Sequence, residues 1–302
     1  MQLKSLILVF SLIFLFFGCS GNVSVTCDGK QSSLLYSKRD YKRLLKTNEC
    51  RDCKLNGDKA NLSNLDLSRA NLGGTKLAGA NLSGTKLTDA ILGNVVFSDY
   101  DGGWSGFGTL CIANLEGADL REANFYQARL SYINLSGFDL NGVKFERAIL
   151  NNTKFFSTNL SGLNFNEASL FEANLSKAIS IDASLYKADL ISANLTATNF
   201  ENADLREANL SQSIATDANF KNADLEKANL YEADLSGANL EQANLLRADL
   251  RGTNLTNVNL DKTNLTGAIY GKIIASEKEK KQIDTIFPQG FNPIKAGMIL
   301  IE

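Results

Sequence analysis

An all-β solenoid is the fold class this sequence predicts, and three regularities predict it. Counting by fives from Leu115 to Tyr270 gives 32 centres, of which 29 are Leu or Phe; the exceptions are Ser180, Ala215 and Tyr270. Two residues before the centre, 21 of the 32 are Ala, and one residue before it 23 are Asn or Asp. Ala233-Asp234-Leu235-Ser236-Gly237 shows the unit. An α-helix turns every ~3.6 residues, so a spacing of five would carry the Leu row around all of its sides. In a flat strand an odd period throws alternate Leu to opposite faces. The row stays on one side only if the chain turns a corner at each unit. Leu or Phe and the small residue then point inward and three polar positions point outward. Ala at the inner position leaves room for the large centre of the next unit, and stacked coils bury one another's apolar layers.

The A-(D/N)-L-x-x array of residues 112–270 resembles the pentapeptide repeat family over more than half of the chain. The resemblance implies a right-handed quadrilateral β-helix with four units per coil, and the residues at its two ends, taken below, predict short helical caps. At ~4.8 Å between neighbouring strands, eight such coils make a rod of roughly 40 Å. The chain then divides into a signal peptide (1–18), a tether and N-terminal cap (19–57), a β-helix (58–270) with an inserted loop at 98–109, and a C-terminal cap helix and tail (271–302).

Residues 1–18 read as an export signal, with Lys4 as the positive region and an apolar run from Leu6 to Phe17 broken only by Ser11. The run is short for a membrane span and ends at a small residue, as signal peptides do. Phe16-Phe17-Gly18-Cys19-Ser20 resembles a bacterial lipobox, in which Cys19 becomes the lipidated first residue. Phe16 and Phe17 stand where that pattern has an aliphatic and a small residue. The alternative is an ordinary signal peptide cut nearby, which leaves Cys19 a plain thiol. Ser20 differs from the Asp that holds lipoproteins at the inner membrane and so favours the outer one.

After a polar tether, Ser37-Lys38-Arg39-Asp40 has the form of a helix start, and Tyr41, Leu44 and Leu45 would share one face of that helix. This helix is expected over the open end of the solenoid, where coil edges expose backbone groups and apolar side chains. Cys27, Cys50 and Cys53 lie on either side of it. In an exported protein a disulfide between Cys27 and one of the pair is favoured, with Cys53 filling an inward small-residue position as the alternative. Zinc would need all four cysteines, Cys111 included, because the chain has no His.

A first array has centres at Leu62, Leu67, Leu72, Leu77, Leu82, Leu87, Leu92 and Phe97, enough for two coils. Phe97 and Leu110 are 13 residues apart, so the register breaks by three. The Gly-rich segment between them holds Tyr100, Phe107 and the only Trp, Trp104. Gly permits tight turns, and an insertion in a solenoid maps to an exposed loop. Tyr100, Trp104 and Phe107 either form a binding loop or fold back to cover the wall. Beyond Tyr270, Ser276-Glu277-Lys278-Glu279 has the form of a capping box. It predicts a short helix ending before Pro288, with Ile283, Ile286 and Phe287 on its apolar side. The apolar tail Met298-Ile299-Leu300-Ile301 is expected to pair with an edge or pack beneath that helix, with a homodimer contact as the alternative.

The absence of His removes the commonest general base and metal ligand, and with it Ser-His and Cys-His pairs. Asp recurs as the alternative to Asn before the centre, which reads as a requirement of the repeat. No phosphate-cradling loop is present, and no cofactor is expected. Charge is segregated: residues 1–57 carry 9 Lys or Arg against 4 Asp or Glu, and residues 58–270 carry 17 against 25. The family's best-known activity, DNA mimicry that shields a type II topoisomerase, needs an acidic stripe. Stacking at twenty residues sets Asn244 after Asp204 and Asp224, and Arg and Lys interrupt the other columns. The expectation is therefore a non-catalytic lipoprotein of the cell envelope, bound to the membrane and to an unknown protein or envelope component, with no nucleic-acid partner. A topoisomerase protector and a carbohydrate-active β-helix enzyme are the alternatives.

Overall fold

The computed structural model describes residues 38–47, 61–70, 72, 77, 81–96, 109–112, 115, 118–271, 273–276 and 281–301. Its core is a ladder of parallel bridges, each joining a residue to the one twenty positions later: Asn174 to Asn194, Asn194 to Ile214, Ile214 to Asp234. Twenty residues per coil are four units of five. Among the described residues the Leu and Phe centres are buried from Leu62 to Leu255, and so are the Ala two positions before them; near the last edge Leu260 is partly buried and Leu265 buried. Phe125, Phe145 and Phe165 stack at 5.6 and 5.1 Å along one inner corner, and Phe155 meets the last two edge-on.

The unit around Leu195 shows why five residues suffice. Asn194 donates its N–H to Ala173 O of the coil below at 2.9 Å. Leu195 and Ala197 donate to Ile214 O and Thr216 O of the coil above at 2.7 and 2.9 Å. Thr198 closes the corner by donating to Leu195 O at 3.0 Å. The remaining N–H, on Thr196, donates to Asn194 Oδ1 at 3.1 Å. Every N–H of the unit is thereby satisfied, and the last of them requires a short side-chain acceptor one residue before the centre. That is the physical origin of the Asn/Asp column. Where Thr replaces Ala inside, its hydroxyl finds a carbonyl, as Thr198 does at Leu175 O (2.8 Å).

Each corner places the second residue after the centre in the left-handed region, with φ of 53–67° even for Glu, Lys, Arg, Tyr and Ala. Such a conformation costs on the order of 1 kcal/mol for a residue with a Cβ. The inter-coil hydrogen bonds and the buried centres offset it.

The register break is a hairpin. Strand β1 (Ile91–Val96) pairs antiparallel with β2 (Thr109–Ile112), Val96 opposite Thr109 and Asn94 opposite Cys111. On its other side β1 pairs in parallel with β3 (Arg129–Leu130). Across this insertion the stacking offset is 38 residues, as in Asn81 to Asp119 and Lys86 to Asn124. Thirty-eight is seven units plus three, which is the break read from the sequence. At that offset the corner above Leu77 falls on Leu115. After Leu92 the chain runs along β1, paired with β2, and the next expected centre is Phe97. Residue 97 itself lies outside the described residues.

At the N-terminal end α1 (Lys38–Thr47) forms where expected, with Asp40 in its first turn and Lys46 in its last, both favourable to the helix dipole. Leu44 is buried with the Leu centres, and Tyr41 donates its hydroxyl to Asn61 O at 3.0 Å. Leu45 does not join them; it is 47% exposed. At the other end the expected helix does not appear among the described residues. Strand β5 (Ile273–Ser276) pairs antiparallel with β6 (Lys281–Ile283), so Ser276 ends one strand and Ile283 lies on the other. The solenoid's last edge wins over the local capping signal by offering backbone partners. Leu255 donates to Ile286 O at 2.7 Å, and Ile286 donates to Thr253 O at 2.9 Å. Strand β4 (Ile269–Gly271) then pairs in parallel with β7 (Ile299–Ile301), so the tail does take the edge. Met298 is buried beneath it, and Tyr270, Phe287 and Phe291 pack ring against ring.

Candidate functional site

Cys19, Cys27, Cys50, Cys53, Tyr100, Trp104 and Phe107 all lie outside the described residues. What is placed is the stem of the aromatic loop, the paired Val96 and Thr109.

The outer wall is the other candidate surface, and its polar groups are engaged in holding the coils. Asp189, Asp224, Asp234 and Asp249 accept the N–H two residues on, as the Asn do. A ladder of amides climbs one face: Asn219, Asn239 and Asn259 each donate from Nδ2 to Oδ1 of the Asn one coil below, at 2.9–3.1 Å. Another column alternates in sign, with Arg147 to Glu167 at 3.1 Å and Lys187 to Glu207 at 3.4 Å. Arg147 holds the Glu167 carboxyl below the usual carboxylate range.

The stacked carboxylates Asp204 and Asp224 make the nearest approach to an acid–base pair, and Arg206 is shared between them. Its guanidinium lies 2.7 Å from Asp204 and 3.8 Å from Asp224. Arg206 depresses the Asp204 pKa against the opposing effect of burial. Asn244 continues the column and donates to Asp224 Oδ1 at 2.9 Å. With Arg206 between the two carboxylates and Asn244 next in the column, the face presents no run of phosphate-like charge. Among the described residues no group of three or more Cys, Asp or Glu side chains converges as a metal site would.

Sequence reasoning missed the aromatic–cation pairs on this wall. Arg206 and Lys187 lie 5.6 and 5.1 Å from the Tyr186 ring, Arg251 lies 5.6 Å from Tyr231, and Arg147 lies 6.0 Å from Tyr126. The signal was present, since Tyr186 and Arg206, like Tyr231 and Arg251, are one coil apart in sequence.

The fold and its wall define a class, the parallel β-helix built of five-residue units, and the comparisons supply the family. The family model for pentapeptide repeats matches residues 58–99 and then, in overlapping segments, residues 111–269, in 8 copies. The chain belongs to the pentapeptide repeat family, whose fold is the right-handed quadrilateral β-helix. The matched segments pass over residues 100–110, where the hairpin stands. Among solved structures the chain is similar to HetL, a pentapeptide repeat protein involved in heterocyst differentiation regulation from the cyanobacterium Nostoc sp. strain PCC 7120. The identity is 25% over 70% of this chain and 92% of that one, with a TM-score of 0.40. QnrB1, a plasmid-mediated fluoroquinolone resistance protein, is 16% identical over 76% of this chain and 90% of that one, with a TM-score of 0.45. The protein alr5209 from Nostoc PCC 7120 is 31% identical over 37% of this chain and 84% of that one, with a TM-score of 0.26. Among curated proteins no sequence match was found.

Proposed function

We propose that this chain is a non-catalytic, lipid-anchored protein of the cell envelope, attached through Cys19 and placed at the outer membrane. It uses its solenoid as a binding scaffold. The observation that carries the scaffold reading is the contrast within the wall: columns of amides and ion pairs such as Asn199–Asn219–Asn239 and Arg147–Glu167 tie coil to coil, and the register departs from the period where β1 pairs with β2. That hairpin leads to Tyr100, Trp104 and Phe107, large groups of the kind enriched in interface anchors, and we assign partner recognition to them. The sharing of Asp204 and Asp224 by Arg206 speaks against the DNA-mimic alternative and equally against a sugar-cleaving carboxylate pair.

Membrane fractionation with labelled fatty acid tests the anchor. Cys19→Ala should abolish labelling and release the protein, whereas a variant that stays membrane-bound at full length shows an uncleaved segment instead. Substituting Tyr100, Trp104 and Phe107 together by Ser should abolish partner capture from envelope extracts with the β-rich circular dichroism spectrum intact. Collapse of the spectrum along with binding makes the loop a cover for the wall.

A homodimer through the C-terminal tail is a second reading, favoured by exposure. Strand β7 carries Ile299 and Leu300 at 50% and 53% exposure, and Ile294 nearby is 74% exposed. An edge strand with apolar side chains is a template for another chain. Sedimentation velocity tests it: Leu300→Lys should yield monomers where the parent dimerises, and a monomeric parent removes the reading.

A further inference from the structure

The face of α1 that points away from the solenoid has one chemistry. Leu44 is the buried residue of the helix. At ~100° per residue, Lys38, Arg39, Lys42 and Lys46 lie opposite it, with Leu45 at their margin. Those four side chains are exposed, and Leu45 is 47% exposed beside them. Residues 58–270 carry the opposite excess, 25 Asp or Glu against 17 Lys or Arg.

We propose that this basic face of α1 docks on anionic phospholipid headgroups and turns the N-terminal end of the solenoid toward the bilayer. The proposal rests on the envelope reading above, and two features favour a membrane over other polyanions. The apolar run Leu6–Phe17 and Cys19 lie a short way upstream. Eighteen residues separate Cys19 from Lys38, so even a fully extended chain keeps the helix within about 65 Å of a bilayer anchored at Cys19. Within a Debye length of about 8–10 Å of that surface the basic face is attracted and the acidic array repelled, so charge alone gives the solenoid a preferred direction. Leu45, on the same side, supplies an apolar group to the interface, as amphipathic surface helices do.

The test uses the full chain and vesicles of phosphatidylcholine with and without phosphatidylglycerol. The run Leu6–Phe17 carries no charge to tell the two kinds apart, so α1 is read from the preference for the anionic vesicles. Each Lys or Arg near an anionic surface contributes roughly fivefold, which gives a preference on the order of 500-fold for four at low salt. The preference should fall steeply with added salt. Replacing Lys38, Arg39, Lys42 and Lys46 by Glu should abolish it, with replacement by Gln as the milder set if the Glu variant fails to fold. Lys144→Glu with Lys154→Glu, on the outer wall, should leave it unchanged. No preference in the parent chain, or a preference that survives in the α1 variants, overturns the proposal. Because fatty-acid labelling at Cys19 is a separate readout, loss of labelling with the lipid preference intact counts against the anchor alone.

Discussion

Asn219 is the residue at which the turn cap and the amide ladder can be separated. Its Oδ1 accepts the Lys221 N–H at 3.2 Å and the Asn239 Nδ2 at 3.1 Å, and its own Nδ2 donates to Asn199 Oδ1 at 2.9 Å. Asn209 occupies the same position of its unit and is equally half-buried, but its side chain accepts only the Ser211 N–H, at 3.2 Å. A net hydrogen bond in a protein contributes about 1 kcal/mol. Asn219→Ala, which removes three, should then cost about 2–3 kcal/mol and Asn209→Ala about 1 kcal/mol. Asn219→Asp keeps both acceptor functions but turns an oxygen toward Asn199 Oδ1, and it should fall between the two. Urea unfolding followed by circular dichroism measures the costs. Amide exchange localises them, because Lys221 should lose protection while the Asn219 N–H, bonded to Thr198 O at 2.9 Å, should not. Equal costs for the two Ala variants would refute the ladder as a stabilising device and leave the cap as the only function of the column.

The other expectations are local. Leu195 is fully buried between Leu175 and Ala215 in its column, so Leu195→Ala should cost about 2–5 kcal/mol and outward Thr196→Ala no more than about 0.5 kcal/mol, measured by the same unfolding. Ser213 buries a hydroxyl without a partner at a site the repeat gives to Ala, so Ser213→Ala should stabilise by about 1 kcal/mol and raise Tm. Asp66, held by Ser68 first and by Lys86, has its pKa lowered from 3.8 to about 2. A carboxyl depressed on folding contributes stability that is present above the unfolded value and lost as pH falls, so Tm should drop between pH 3.8 and about 2, less so in Asp66→Asn. Gly271 has φ of 145° and its missing Cβ would run into the Ile301 carbonyl, so Gly271→Ala should release β7, seen as loss of amide protection at Ile299 and Ile301.

The interior of this fold was legible because one residue type does one thing at a fixed spacing. Leu at the centre with Ala two before it is buried wherever both are described, and the Asn/Asp column caps the turn. Two classes of feature were not legible. The left-handed corner carries no residue signature: Glu167, Lys187, Ala197 and Tyr132 all adopt it, since stacking fixes the backbone and any outward side chain tolerates the strain. The C-terminal cap differs from the expectation because a local signal competes there with an open edge. Ser276 to Glu279 is a sound helix start by itself, yet the edge of the last coil offers parallel partners to Ile286 and Ile299, and extended chain satisfies more groups. The three-residue register break is visible in the sequence, but five-residue counting gives no sign that the chain runs on from Leu92 into the antiparallel pairing of β1 with β2.

That contrast bears on the proposed recognition as well. A ligand gripping the regular wall would have to displace capped N–H groups, the amide ladder or stacked ion pairs, and each displacement subtracts from what binding gains. The places where the chain departs from its period carry no such debt: the hairpin between β1 and β2, the β7 edge, and the outward face of α1. Recognition should therefore map to departures from the repeat. Arg147→Ala, which breaks contacts to Glu167 and Tyr126 on the wall, should leave partner capture at the parent level, whereas the Ser substitutions at Tyr100, Trp104 and Phe107 should abolish it. If Arg147→Ala alone abolishes capture, the wall itself is the binding surface and the assignment to the hairpin fails.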